Sequence, residues 1–580
     1  MRLWRQSGRE ERRQRRELTL LFAGRFWEND LVSITGDVRG TLVGVFAVVA
    51  GPGWILPFLE CLAFSDKRFT SLPLYERDWI ALPHKAIYLA LSMTVLGILT
   101  VFEWDALLLD QRDYSVLRPL PVRLTTVLAA KLSALAFFWA VLAVVINAVS
   151  ALIFPVAVMQ WGSLGSLLWM IRVHVVAIVA GNAFVFLAMI ALQGLLMNVS
   201  GWHRYRRVSP YFQLLLVALL LLMFFASIGA SQQIQAGKQL GSVLRLLPPV
   251  WFLGLYQYDL GWHQPVFHQL ATLAQYALGT AAFIAAAFYG LSYKRSISDL
   301  PEHLEIRRDR GPGRFARIIT LVVDSVLLRT PPERAAFHFI RQTTLRSRSH
   351  RVLVAAYAGI GLGLVFQSLT GAAAAGSHSW WDHPQGALLP IPLVLSLFLL
   401  LGLRYAFTVP AELRANWLFQ LSATSDPREY RAGIRKAVTL IGILPLFALL
   451  LPLHAILWGW RLAGLHIAFG FVVACLVMDV LFAGFDTLPF TCSHVAGKAN
   501  VKTLWPLYVL GFMAFVSAFS GIELLILNRP GRLLWFLGTV VLIQMGLEFY
   551  RRRVLPVRGT FSLVFAGEPE PAVRTLGLSH

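Results

Sequence analysis

The sequence predicts an all-α polytopic membrane protein of about 12 transmembrane helices, arranged as two tandem six-helix repeats with both termini cytoplasmic. Three observations carry that expectation. The 580 residues are 57% hydrophobic, with a mean hydropathy of +0.63, yet the chain carries a net charge of +21. Apolar runs alternate with short polar loops, and each run is long enough to cross roughly 30 Å of hydrocarbon. The cations crowd into particular loops and stay out of the runs. Unbroken hydrophobicity argues for helices over a β-barrel, whose strands would read as alternating segments of about ten residues.

Taken in order, span 1 is expected at Gly40–Phe64 and span 2 at Ala86–Leu107. Spans 3 to 6 follow at Thr125–Val158, Ser166–Val199, Tyr211–Ala230 and Leu270–Tyr293. The second half reads Val352–Ala374, Ala387–Val409, Ala437–Trp460, His466–Phe490, Leu504–Leu527 and Leu533–Tyr550. Spans 3 and 4 exceed what a bilayer needs, so they should tilt or project. Between spans 5 and 6, Leu244–Tyr256 forms an outward element that Pro248 and Pro249 interrupt, with Trp251, Phe252 and Tyr256 suited to the membrane interface.

Orientation follows from the cations. Arg12, Arg13, Arg15 and Arg16 lie close together before span 1, and Lys294–Arg351 holds 13 Lys plus Arg against six acids. Arg204, Arg206 and Arg207 follow span 4, whereas Gln160–Leu164 and Gly376–Gln385 carry no Lys or Arg. The positive-inside rule then puts both termini in the cytoplasm. Two outward loops dissent: Asn528–Arg532, and the loop after span 1 with Lys67, Arg68, Arg77 and Lys85 beside Asp66, Glu76 and Asp78. Hydrophobicity begins near position 40, so no cleavable signal is expected. Cys61, Cys475 and Cys492 lie in or near spans and supply no disulfide framework; Cys492 with His494 falls short of a metal site.

The duplication is read from matching segments. Phe102–Lys131 and Phe407–Lys436 each begin with Phe at a span's end and run through an Arg-containing polar stretch. Each then passes an acid-amide/aromatic pair (Asp113-Tyr114, Asn416-Trp417) and a Leu-rich turn, and closes on a Lys entering a long span. Upstream, the amphipathic stretch Phe22–Leu31 corresponds to Phe337–Leu345. The boundaries are a first repeat at 1–297, a basic cytoplasmic connector at 298–334 and a diverged second repeat at 335–580. Within the connector, Ala316–Leu328 is apolar but too short to span, which suits an interfacial or packed cytoplasmic helix.

With an amphipathic stretch before span 1 (Glu17–Asp37), a charged loop between spans 2 and 3 (Asp105–Arg123) and a short external element (Gly241–Tyr256), the chain resembles the permease subunits of type-2 ABC exporters. Asp113–Val122 followed by Lys131 is the most family-like piece. The resemblance covers the first half well and the second loosely. It implies coupling loops that an ATPase pushes, at Asp110, Arg112, Asp113 and Arg118 in the first repeat and at Glu412, Arg414 and Arg428 in the second. The competing reading of these loops is a solvated segment with headgroup contacts.

The resemblance also implies separate cytoplasmic ATP-binding-cassette subunits that bind ATP and Mg, in a bacterial-type plasma membrane. This chain has no phosphate loop: Gly371–Gly376 is followed by Ser377-His378, without the Lys, so it is not expected to be an enzyme. Anionic lipid, and no nucleic acid, accounts for the basic cytoplasmic face.

Ionisable groups inside spans default to functional hypotheses. Asp479 reads as near the middle of span 10, with Asn147 and Asn182 adding polarity to spans 3 and 4; Asp479 serves equally as a substrate or proton group and as an interhelical hydrogen-bonding residue. Glu523, Arg172 and His174 lie toward outer ends, with Arg172 expected to snorkel. The alternatives are a proton-coupled secondary transporter, an intramembrane enzyme, against which the absence of HExxH and GxSxG speaks, and a non-transporting scaffold subunit.

Overall fold

A computed structural model describes residues 2–27, 51, 53–104, 123–159, 163–237, 241–299, 320, 323–374, 388–409, 427–482, 488–491, 501–529 and 531–553. Every element among them is helical. The chain divides into two compact units, Met1–Arg307 and Arg308–His580.

The first unit opens with α1 (Arg2–Trp27), then α2 (Gly53–Phe64), two short helices α3 (Lys67–Thr70) and α4 (Leu74–Ile80), and α5 (Leu82–Phe102). Next come α6 (Leu124–Met159), α7 (Leu164–Gln235), α8 (Pro248–Asp259) and α9 (Pro265–Asp299). Local chemistry sets several starts. Asp66 caps α3 by accepting the Arg68 amide at 3.2 Å, and Ser163 caps α7 by accepting that of Ser166 at 3.2 Å. Pro248 and Pro249 occupy the first turn of α8, where no intrahelical N–H is needed, so the pair starts a helix where interruption was expected.

The second unit holds α10 (Pro331–Arg346), α11 (Arg348–Ala374), α12 (Ile391–Thr408), α13 (Pro427–Ala437), α14 (Leu444–Leu481), α15 (Val501–Asn528) and α16 (Arg532–Arg553). A six-residue π-helical segment, Val438–Ile443, joins α13 to α14. The core of this unit gathers Leu400, Leu403, Phe407, Ile443, Phe447 and Phe490 from α12, α14 and the segments beside them.

Nine stretches among the described residues are helices long and apolar enough to cross a membrane. Two shorter apolar helices, Gly53–Phe64 and Arg532–Leu547, fall where spans 1 and 12 were expected, and residues 40–50 of span 1 lie outside the described residues. Spans 9 and 10, expected as separate runs, merge into one helical stretch, Glu429–Leu481. At 1.5 Å per residue its 53 residues would measure about 80 Å if straight.

It is not straight. Gly459 breaks the stretch with φ 77°, a left-handed conformation that glycine adopts without a Cβ penalty. The rings of His454 and His466 lie 4.8 Å apart, although 12 residues of straight helix would separate them by about 18 Å. The chain therefore doubles back at Gly459. The 72-residue α7 does the same at Gly201 (φ 70°): Gln193 hydrogen-bonds to the Tyr205 hydroxyl at 3.1 Å. Each is a helical hairpin with a glycine at its tip.

Candidate functional site

Four polar clusters stand out inside this apolar scaffold. The first joins α4, α5, α7 and α8. Lys85, in the first turn of α5, is fully buried and donates to Asp78 and, at 2.7 Å, to the Gln257 side-chain carbonyl. Asp78 also accepts from Trp262 Nε1 at 2.8 Å and from Gln257 Nε2 at 3.3 Å. The Lys85 ammonium lies 5.0 Å from the Tyr256 ring centroid, a cation–π distance. Burial, reinforced by the Asp78 carboxylate, holds the Tyr256 phenol well above its ordinary range, so it stays protonated, with its oxygen 3.0 Å from His174 Nδ1. Beside this group, Tyr88 donates to buried Glu60 at 2.5 Å, and His84 Nδ1 lies 2.8 Å from the other Glu60 oxygen.

This cluster overturns one reading of the sequence. Phe252 and Tyr256 were placed at the membrane interface; both are fully buried within the first unit. The external element is a helix folded into the unit and tied to α5 through Lys85 and Gln257. Lys85, which counted as a loop cation, is a core residue. Its signal in the sequence was Asp78 seven residues earlier, a spacing that loop-charge counting ignores.

The second cluster lies deeper. Asn147 on α6 and Asn182 on α7, both sequence candidates, converge on Ser92 of α5, donating to its hydroxyl at 2.7 and 2.8 Å. Ser92 in turn donates to the Asn182 carbonyl at 3.0 Å. All three are buried. The triad knits three long helices with hydrogen bonds that lipid cannot offer. Toward the Gly201 tip, Gln193 donates to the Trp104 carbonyl at 2.5 Å.

The third cluster surrounds the docked amphipathic helices, and it has a counterpart in each unit. In the first, α1 lies against the base of α6: Arg15 donates to Ser133 at 2.9 Å, Thr126 to Glu11 at 3.2 Å, and the Lys131 ammonium sits 5.6 Å from the Phe22 ring centroid. In the second, α10 lies against α13. Lys436 bridges to Glu333 and donates to the Leu327 carbonyl at 2.6 Å. Gly433 permits the contact, since a Cβ there would stand 2.6 Å from the Glu333 carbonyl oxygen. Lys131 and Lys436 are the two lysines that end the matched segments, and Phe22 and Phe337 begin the matched amphipathic stretches.

Burial alone would raise the Glu333 carboxyl, but Lys436 and the Arg329 and Thr330 amides outweigh it and hold the group below the ordinary carboxylate range. A depressed native pKa stabilises the fold above the unfolded value, and that contribution is lost as pH falls through the folded one. Acidification from neutrality to below about pH 4 is therefore expected to loosen α10 selectively. Amide exchange along Pro331–Arg346 should accelerate on acidification beyond the intrinsic pH effect; unchanged protection would show that Glu333 does not hold the helix.

Near the same helices, Asp479 departs from its expected place. It lies two residues before the end of α14 at Leu481, not in mid-span, and Arg435 from the last turn of α13 grips it with two contacts of 3.0 Å. Pairing with the half-exposed Arg435 explains how this carboxylate is tolerated in an apolar run. Arg172, expected to snorkel, stacks on Trp169 with its guanidinium 4.4 Å from the ring centroid. Of the coupling-loop residues, Asp110, Arg112, Asp113, Arg118, Glu412 and Arg414 lie outside the described residues, as do Cys492 and His494. Arg428 falls in the first turn of α13.

The fourth cluster sits at the Gly459 tip. His466 Nδ1 contacts Glu523 of α15, and the rings of His454, Trp458 and His466 pack together at 4.8–5.4 Å. Glu523 was noticed in the sequence; the two histidines were not, although they flank the same glycine turn. Among the described residues no group of His, Cys, Asp and Glu is arranged to hold a metal.

Among the described residues the chain is all-helical, with nine helices long and apolar enough to cross a membrane. No family model, curated protein or solved structure matches the chain.

Proposed function

We propose that the chain is the permease subunit of an ABC-type exporter, two six-span repeats fused in one chain of twelve spans, driven by separate cytoplasmic ATPase subunits in a bacterial-type plasma membrane. The observation that supports this best is the docked amphipathic helix. In each unit it rests on the base of a long membrane helix, at the lysine that ends the matched segments. Force applied to the charged loops before Lys131 and Lys436 would reach α6 and α14 directly, and α1 and α10 with them. An exporter permease needs that property, because its ATPases act only from the cytoplasmic side. ATP and Mg would be held by those subunits.

The test is a mild-detergent purification of the tagged chain from native membranes, followed by assay of the eluate for ATP hydrolysis. The expected result is a co-purifying nucleotide-binding subunit that is released by Asp110→Lys with Asp113→Lys. Monodisperse chain without ATPase, under conditions that preserve the fold, overturns the reading. A proton-coupled secondary transporter is the second reading, and the observation favouring it is the buried Glu523–His466 contact.

A further inference from the structure

We propose that the Gly459 tip of the second unit is a proton-binding centre, in which Glu523, His466 and His454 take up and release one proton. The three side chains come from both arms of the α14 hairpin and from α15, and each is at least nine-tenths buried. Trp458 packs on both imidazoles, with centroids 5.4 Å from His454 and 5.1 Å from His466, and covers them against solvent.

The argument is a proton count. A Glu–His pair with no net charge exists in two forms, imidazolium with carboxylate or neutral imidazole with carboxylic acid. In both, one proton lies in the bond between Glu523 and His466 Nδ1, and in both, His466 Nε2 carries the second. That Nε2 has no hydrogen-bond partner, and neither does Glu523 Oε2. The neutral pair therefore leaves a buried donor unsatisfied, which carries a desolvation cost. Releasing the Nε2 proton removes the orphaned donor but leaves a net negative charge in an apolar site, which is also costly. Neither proton inventory is fully relaxed, so a modest change of surroundings can favour one over the other.

His454 supplies the neighbour. Its Nδ1 donates to the Leu450 carbonyl at 2.9 Å, so in the neutral ring Nε2 bears the lone pair and can accept a proton. With its ring 4.8 Å from that of His466, reorientation of the imidazoles within one cluster is enough to pass a proton between them. The bond made is N–H on His454 and the bond broken is N–H on His466; no electron changes owner. Hydration through the tip would complete the exchange with the outside.

Among the described residues, surrounding charges are few; His378, Asp382 and His383, which precede Leu388, lie outside them. Beyond the tip, α14 offers Arg461, and the α15–α16 junction offers Arg529 and Arg532, all exposed. The half of α12 that begins at Ile391 brings no titratable group. Arg404 and Tyr405 on α12, Lys502 and Tyr508 on α15, Cys475 and Asp479 on α14, and Glu548 with Arg551, Arg552 and Arg553 on α16 all belong to the opposite ends of those helices. The centre thus has three peripheral cations that favour release and no second carboxylate among these residues to compete for the proton.

This inference goes beyond the exporter reading, since it holds whether a partner's ATPase or a proton gradient drives the chain. The test is the pH-difference infrared spectrum of the full chain in lipid nanodiscs between about pH 5 and about pH 8. Wild type is expected to show a carboxyl or imidazole protonation signal that is lost in Glu523→Gln, with its midpoint shifted in His454→Gln. Glutamine keeps an acceptor for His466, so the fold should survive; if it does not, His466→Gln and His454→Gln carry the same test. Difference spectra identical to wild type in the folded variants would show a static hydrogen bond and overturn the proposal. Because no ATPase or transport assay enters, the result is independent of the co-purification experiment.

Discussion

Asp78→Ala is expected to destabilise the first unit by about 3–5 kcal/mol, the usual cost of stranding one member of a buried ion pair. Lys85 is fully buried, and among the described residues Asp78 supplies its only anionic contact. The Gln257 carbonyl and the Tyr256 ring face would remain, but a dipole and a quadrupole do not neutralise an ammonium. The loss should not stay local, because the same carboxylate receives Gln257 and Trp262 and so ties α4 to the C-terminal end of α8 and the turn that follows it. Thermal unfolding of the purified chain in detergent measures it. The double variant Asp78→Leu with Lys85→Met should recover much of the loss, since a matched apolar pair removes both charges from the interior. An unchanged midpoint in Asp78→Ala would mean that the lysine reaches water and is not the core residue described here.

Gly433→Ala is expected to pry α10 from α13. The added Cβ would stand 2.6 Å from the Glu333 carbonyl oxygen, 2.9 Å from Ala336 Cβ and 3.2 Å from Glu333 Cα. Two of those atoms are backbone and the third cannot rotate away, so relief requires moving a helix. Overpacking of this kind costs about 1–3 kcal/mol. Lost with it would be the ion pair between Lys436 and Glu333, and with that the grip on the base of α14. Amide exchange should rise along Pro331–Arg346 and stay unchanged in α5. Gly464→Ala is the control, because nothing lies within 4 Å of a Cβ there. If the ATPase reading holds, Gly433→Ala should also weaken nucleotide-driven coupling while leaving the partner bound. Equal exchange in the two variants would show that α10 does not depend on this close approach.

How much of this was legible beforehand depended on the physical signal involved. Long apolar helices announce themselves because crossing lipid takes about 20 consecutive, predominantly apolar residues, and α5, α6, α7, α9, α11 and α12 fall close to their expected places. Helix endings were harder. The break at Gly459 falls where the sequence separates Ala437–Trp460 from His466–Phe490, but the left-handed glycine that turns the chain there leaves no mark in hydropathy. Asp479 looked central because hydropathy extended the span to Phe490, whereas the helix stops at Leu481.

Polar clusters were the least visible. Asn147, Asn182 and Glu523 could be flagged one at a time as polar residues in apolar runs. That two of them share Ser92, or that the third meets His466, depends on helix rotation, and hydropathy does not encode rotation. Lys85 was hidden for a different reason. A lysine at the edge of a span is ordinarily solvated, and only the fold of α8 over it makes it a buried charge.

The buried lysine bears on how such a chain is threaded into its membrane. Positive residues flanking a span act as anchors that hold their loop on the side of synthesis. The loop after α2 carries four, yet Lys85 is tied off by Asp78, and Arg77 is occupied by the Thr70 and Leu72 carbonyls. Once so engaged, these two cations are no longer free to bind anionic headgroups or oppose passage. For the positive-inside rule the loop therefore counts fewer free cations than its sequence shows.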